Sequence, residues 1–69
     1  MDIRKRFGMN VRRVRRAQDI TQEELAHRAG IHRTYLSGLE RDGDKNPTLD
    51  VVGRIAAALN VTVGSLVDE

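Results

Sequence analysis

Cysteine is absent from the 69 residues, so neither a disulfide nor a thiolate-held metal can staple the chain. A reducing compartment suits such a composition. Proline occurs once, at Pro47, and aromatics twice, at Phe7 and Tyr35. Runs of β-branched residues are missing too, which leaves little material for strands. No apolar stretch approaches the roughly 20 residues that a membrane span requires. The basic, polar N-terminus lacks the apolar core of a signal peptide, and the expected location is the cytoplasm. The length predicts one domain over 1–69. A chain of this size buries only about 60% of its unfolded surface, which speaks against a large enzyme with a deep cleft.

Catalytic and metal-binding patterns are equally scarce. His27 and His32 are the only imidazoles, five residues apart and across a turn. A zinc site needs three or four convergent ligands. No glycine-rich phosphate loop and no nucleophile–base pairing is legible. The expectation is a protein that is not an enzyme and that uses no metal, no cofactor and no small-molecule ligand.

What the chain does have is helix periodicity and an uneven spread of charge. Residues 1–18 carry seven bases (Arg4, Lys5, Arg6, Arg12, Arg13, Arg15, Arg16) against Asp2 alone, while the remainder is mildly acidic. Such an arrangement suits either a polyanion touched on one face or a solvated helix face. Asp2 caps a first helix whose apolar positions are Ile3, Phe7, Val11 and Val14, one stripe on an α-helix. Gly8 weakens it, and Asp19 ends it in a left-handed turn. Thr21 and Glu24 read as a capping box opening a second helix, which Gly30 stops. A third helix is predicted over roughly His32–Arg41, with Ile31 stapled onto Leu36. Residues 42–47 read as a loop. Thr48 caps a fourth helix with Leu49, Val52, Ile55, Ala56 and Leu59 inward. Asn60 stops it, and Thr62 caps a short fifth carrying Val63, Leu66 and Val67. The fold class is all-α, five helices around one core.

Within this pattern Gln22–Arg41 forms a unit. Two short helices joined by a tight glycine turn must cross steeply, and a small residue is needed at the crossing. Ala26 supplies it, and Gly30 makes the turn. Leu25, Ala29, Ile31, Leu36 and Leu39 seal the angle. These offsets are what a helix-turn-helix formed by helices two and three requires.

The segment TQEELAHRAGIHRTYLSGLER, followed by NPTLDVVGRIAAALNV, resembles the phage-repressor and Cro type of helix-turn-helix, the Xre family, over roughly residues 7 to 67. The run HRTYLSGLER followed by NPT looks most like the controller proteins of restriction–modification systems. The resemblance implies a compact five-helix, lambda-repressor-like domain that binds operator DNA as a homodimer, with helix three in the major groove. It places Arg33, Thr34, Tyr35 and Ser37 at the base edges. Arg33 is the best reader, since a guanidinium can bond a guanine edge bidentately. Tyr35 either meets DNA or packs. Gly38 departs from the family, many members of which carry a longer polar reader there. Gln22, Arg41, Lys45, Asn46, Arg12 and Arg16 are the expected phosphate contacts. Arg15 and Glu40 are expected to form a half-buried pair that fixes the angle between helices.

An apolar surplus at Val51, Ala58, Val61, Val63 and Val67 exceeds what one small core can hide, and it is the expected dimer interface. The alternative is an interaction module of the same fold, antitoxin-like or bridging, that has lost its DNA role. Such a module should show apolar residues on helix three. Arg33, Thr34, Ser37 and Arg41 are polar.

Overall fold

Four threonine or aspartate hydroxyl and carboxylate caps set where helices begin. In the computed structural model, which describes residues 2–41 and 45–68, Asp2 accepts from the Arg4 amide, Thr21 from Glu24, Thr48 from Val51 and Thr62 from Ser65. Each satisfies one of the orphan N–H groups of a first turn. The helices that follow are α1 (Ile3–Ala17), α2 (Gln22–Ala29), α3 (Arg33–Arg41), α4 (Leu49–Leu59) and α5 (Val63–Val67). The described residues contain no strand. The stops are as local as the starts. Asp19, Gly30 and Asn60 all adopt positive φ, at 58°, 70° and 58°. Residues 42–44 of the expected loop lie outside the described residues.

Two details of capping differ from the sequence reading. Helix α3 starts at Arg33 rather than His32. At Thr21 the hydroxyl half of the capping box is present, while the Glu24 carboxylate turns to Arg28 Nε at 2.8 Å, an i,i+4 pair. At the N-terminus Arg4 donates from its guanidinium and its amide to Asp2. The guanidinium bonds above all, and then the amide bond, hold the Asp2 carboxyl at about 2, below its ordinary 3.8.

The core is built from Phe7 and Val11 of α1, Leu25, Ala26 and Ala29 of α2, Leu36 and Leu39 of α3, Val52, Ile55, Ala56 and Leu59 of α4, and Leu66 of α5. Helix α1 packs chiefly on α3 and α5, and α2 on α4 and α3. Ala26 is buried in the core beneath α2, which packs on both α3 and α4.

Ile3 and Leu49 correct the sequence reading. Both were expected to face inward, and they are 57% and 89% exposed. Each is the first residue of its helix. Helical side chains lean toward the N-terminus, so a residue at the first position projects past the end of the helix, whatever its angular place on the apolar stripe. The core begins one turn later in both cases, at Phe7 and Val52.

Side chains of α1 and its C-terminal turn also close the far ends of other helices. Gln18 Nε2 donates to the Leu59 carbonyl at 2.8 Å, Asn10 Nδ2 to Leu66 at 2.9 Å, and Arg6 Nη1 to Val67 at 3.1 Å. These are the orphan carbonyls at the C-terminal ends of α4 and α5. They tie the basic helix to the two elements that follow the helix-turn-helix.

Candidate nucleic-acid interface

At 100° per residue, α3 sorts its side chains into two faces. Leu36 and Leu39 turn inward. On the other side Arg33, Ser37 and Arg41 stack at i, i+4 and i+8 with Thr34 beside them. Arg33, Thr34 and Arg41 are exposed and Ser37 is half-buried, and the four line one shallow depression. Ser37 and Arg41 also border a second depression, where Arg12 and Arg16 of α1 and Gln22 of α2 converge. The exposed side of α3 thus continues without a break into the basic side of α1 and the N-terminus of α2.

Beneath this surface the geometry is held by a buried charge pair. Arg15 Nε donates to Glu40 Oε2 at 2.8 Å and Nη2 to Oε1 at 2.9 Å, the two-pronged form that suits guanidinium and carboxylate. Arg15 Nη1 donates to the Ile20 carbonyl at 2.8 Å. Gln22 Nε2 donates to Glu40 Oε1 at 3.1 Å. The side chains of Arg15 and Glu40 are only 12% and 3% exposed. One cluster therefore joins the end of α1, the start of α2 and the end of α3. Among the described residues no buried side-chain nitrogen or oxygen lacks a partner.

The expected site residues fall into three groups. Arg33, Thr34, Ser37, Arg41, Arg12 and Arg16 share the surface just described. Gln22 lies on it too, with one of its two amide N–H groups spent on Glu40. Lys45 and Asn46 are exposed beyond α3, and the aliphatic stem of Lys45 lies across Gly38. Tyr35 stands apart. It is half-buried and packs against the core, on the side of α3 away from Ser37. Packing therefore takes its ring away from the side of α3 that carries Arg33 and Ser37.

Two glycines carry roles that local pattern could not reveal. Gly8, read as a mere weak point of α1, is buried, and a Cβ there would overlap the Leu39 carbonyl oxygen. It is where α1 and α3 touch backbone to backbone. Gly38 is buried under Lys45 rather than open to a ligand.

The expected dimer residues divide as well. Val51, Ala58, Val61 and Val67 are partly buried against the core, and Val63 is 41% exposed. The apolar surplus is thus smaller than the sequence suggests at four of the five positions, while Leu49 adds to it.

The helix-turn-helix family model matches residues 11–66. The HTH-type transcriptional regulator y4dJ of Sinorhizobium fredii is 46% identical over 67 residues, covering 97% of this chain and 86% of that protein. The solved structure of the restriction–modification controller protein C.AhdI from Aeromonas hydrophila is similar, with a TM-score of 0.86 and 35% identity over 91% of this chain and 94% of that one. So is the master regulator for biofilm formation SinR in complex with DNA, with a TM-score of 0.84 and 32% identity, covering 90% and 98%.

Proposed function

The chain belongs to the helix-turn-helix family, and we propose that it is a sequence-specific transcriptional regulator that binds operator DNA as a homodimer. The observation that carries this reading is the polar, cationic face of α3, with Arg33, Thr34, Ser37 and Arg41, set in one surface with Arg12, Arg16 and the N-terminus of α2. A helix that kept this fold for protein contacts alone would not need to set two arginines and two hydroxyls on one side. Similarity to transcriptional regulators and to a DNA-bound structure supports the reading.

In this proposal α3 lies in the major groove and its first turn comes nearest the bases. Arg33 bonds a guanine edge, and Thr34 and Ser37 meet neighbouring pairs. Gln22 donates its second amide N–H to a phosphate, where the N-terminus of α2 also favours an anion. Arg41, Lys45, Asn46, Arg12 and Arg16 meet phosphates and set position without reading sequence. Glu40 holds Gln22 and Arg15 together, so the grip on the backbone and the angle of the reading helix are set by one cluster.

The test begins with selection of bound duplexes from a random pool. Arg33→Ala is then titrated on the selected operator, on single-base variants and on random duplex. Loss of a bidentate contact should cost about 1–3 kcal/mol on the operator and relax preference at one base pair per half-site. Gln22→Ala should weaken operator and random DNA alike. Equal losses for Arg33→Ala on both DNAs would move Arg33 to the backbone and leave reading to Thr34, Ser37 or DNA shape.

A further inference from the structure

Gly38 is the one position on the outer half of α3 without a side chain, and the space is filled from elsewhere in the chain. A Cβ built on Gly38 would lie 2.8 Å from Lys45 Cε, 3.3 Å from Cγ and 3.6 Å from Cδ. The three atoms belong to one methylene stem, so Lys45 lies lengthwise over the helix at this point. Its Nζ is one bond beyond Cε. The stem therefore crosses α3 at Gly38, which stands one helical turn from both Thr34 and Arg41. Gly38 is buried because this stem covers it, while Lys45 itself stays exposed. A lysine stem covering apolar surface while its head stays in water is a favourable arrangement.

From this we infer that Gly38 is a positioning residue: its missing side chain is a seat that draws Lys45 across the recognition helix and adds a cation to the Arg33–Thr34–Ser37–Arg41 face. The inference rests on the DNA-binding proposal and deepens it. Gly38 contributes no side chain of its own, and the stem of Lys45 takes that place. The seat also makes a definite claim about substitution. The atom nearest to a new Cβ is the far end of a flexible side chain, not backbone, so alanine at 38 fits once Lys45 swings away. Alanine is also the better helix former. The fold should survive, and the price is Lys45's place.

The experiment compares wild type, Gly38→Ala, Lys45→Met and the double variant, each checked by thermal melting. The melting temperature of Gly38→Ala should equal or exceed that of wild type. Both single variants should lose affinity for duplex DNA by roughly tenfold at 0.1 M salt, and both should shallow the slope of log affinity against log salt by about 0.9, as expected for one phosphate contact removed. The double variant should be no worse than Lys45→Met, because the two changes remove the same contact. Additive losses, or a Gly38→Ala protein with the wild-type slope, overturn the inference. A readout without DNA keeps this separate from the function proposal. Nuclear Overhauser contacts between the Lys45 ε-protons and the Gly38 α-protons should be present in the free wild-type chain, and their absence also overturns it. Failure of the wild-type chain to bind any duplex would instead overturn the regulator proposal, while the seat would still stand or fall on those contacts.

Discussion

Glu40 ties three helices together through one carboxylate. Its carboxylate accepts from Arg15 twice and from Gln22 once, at 2.8, 2.9 and 3.1 Å, and is almost wholly shielded from water. Removing either charged partner leaves the other largely buried without its counter-charge, which typically costs about 3–5 kcal/mol. Small domains hold about 5–15 kcal/mol in all, so Arg15→Ala and Glu40→Ala should each bring the melt close to physiological temperature. Gln22→Ala removes one hydrogen bond to a charged group and should cost less, about 1.5–3 kcal/mol. Thermal melts of the three variants decide the order. If Arg15→Ala and Glu40→Ala both melt like wild type, the pair is a surface contact and the angle of α3 is set by apolar packing alone.

At the scale of the elements, what was legible in the sequence is what is local. A cap needs only its own side chain and an amide two or three residues on, and so Asp2, Thr21, Thr48 and Thr62 could be read directly. A left-handed stop needs only a residue that tolerates positive φ, and Asp19, Gly30 and Asn60 supply it. That Arg33, Ser37 and Arg41 share one side of α3 follows from their spacing of four residues. What could not be read depends on residues far along the chain: the Leu39 carbonyl over Gly8, Lys45 over Gly38, and Gln18 on the Leu59 carbonyl. Ile3 and Leu49 failed for a related reason. Periodicity gives the side of a helix but not where along its axis the core begins.

The glycines of α1 and α4 turn this contrast into a measurement. Gly53 lies in α4 with nothing within 4 Å of a Cβ built on it, whereas at Gly8 the Cβ would meet backbone of α3. Gly53→Ala should raise stability by about 0.4–1 kcal/mol, since alanine loses less backbone freedom on folding and no contact opposes it. Gly8→Ala gains the same propensity but must push α1 from α3, and overpacking of this sort costs about 1–3 kcal/mol or more. Denaturant titrations should therefore give opposite signs. A stabilising Gly8→Ala would show that the two helices do not meet at this distance.

For the whole molecule, size sets the last argument. The described residues extend 28 × 21 × 21 Å, and none of their helices is long and apolar enough to cross a membrane. Helix α3 has nine residues, a length of about 13 Å at 1.5 Å per residue, which spans roughly four base pairs at 3.4 Å each. Four base pairs recur far too often to mark an operator among the 10⁶–10⁹ competing sites of a genome, roughly speaking. A second copy of the chain, related by a twofold axis, would double the reading length and place its own α3 about 34 Å away along the same groove face. The molecule is too small to span that distance alone, but two copies side by side can. Val63 on α5 at 41% exposure and Leu49 at 89% are apolar surface that the monomer leaves in water, with Val51, Ala58, Val61 and Val67 only partly covered. We predict that sedimentation at tens of micromolar gives twice the monomer mass, and that the melting temperature rises with protein concentration, as it must when association stabilises the fold. Val63→Glu should return the chain to a monomer, lower operator affinity far more than random-duplex affinity, and leave the spacing of the four caps and the helical content unchanged. A monomer at all concentrations, both free and on a selected operator with a single half-site, would sink the dimer and require the chain to find its specificity from one helix.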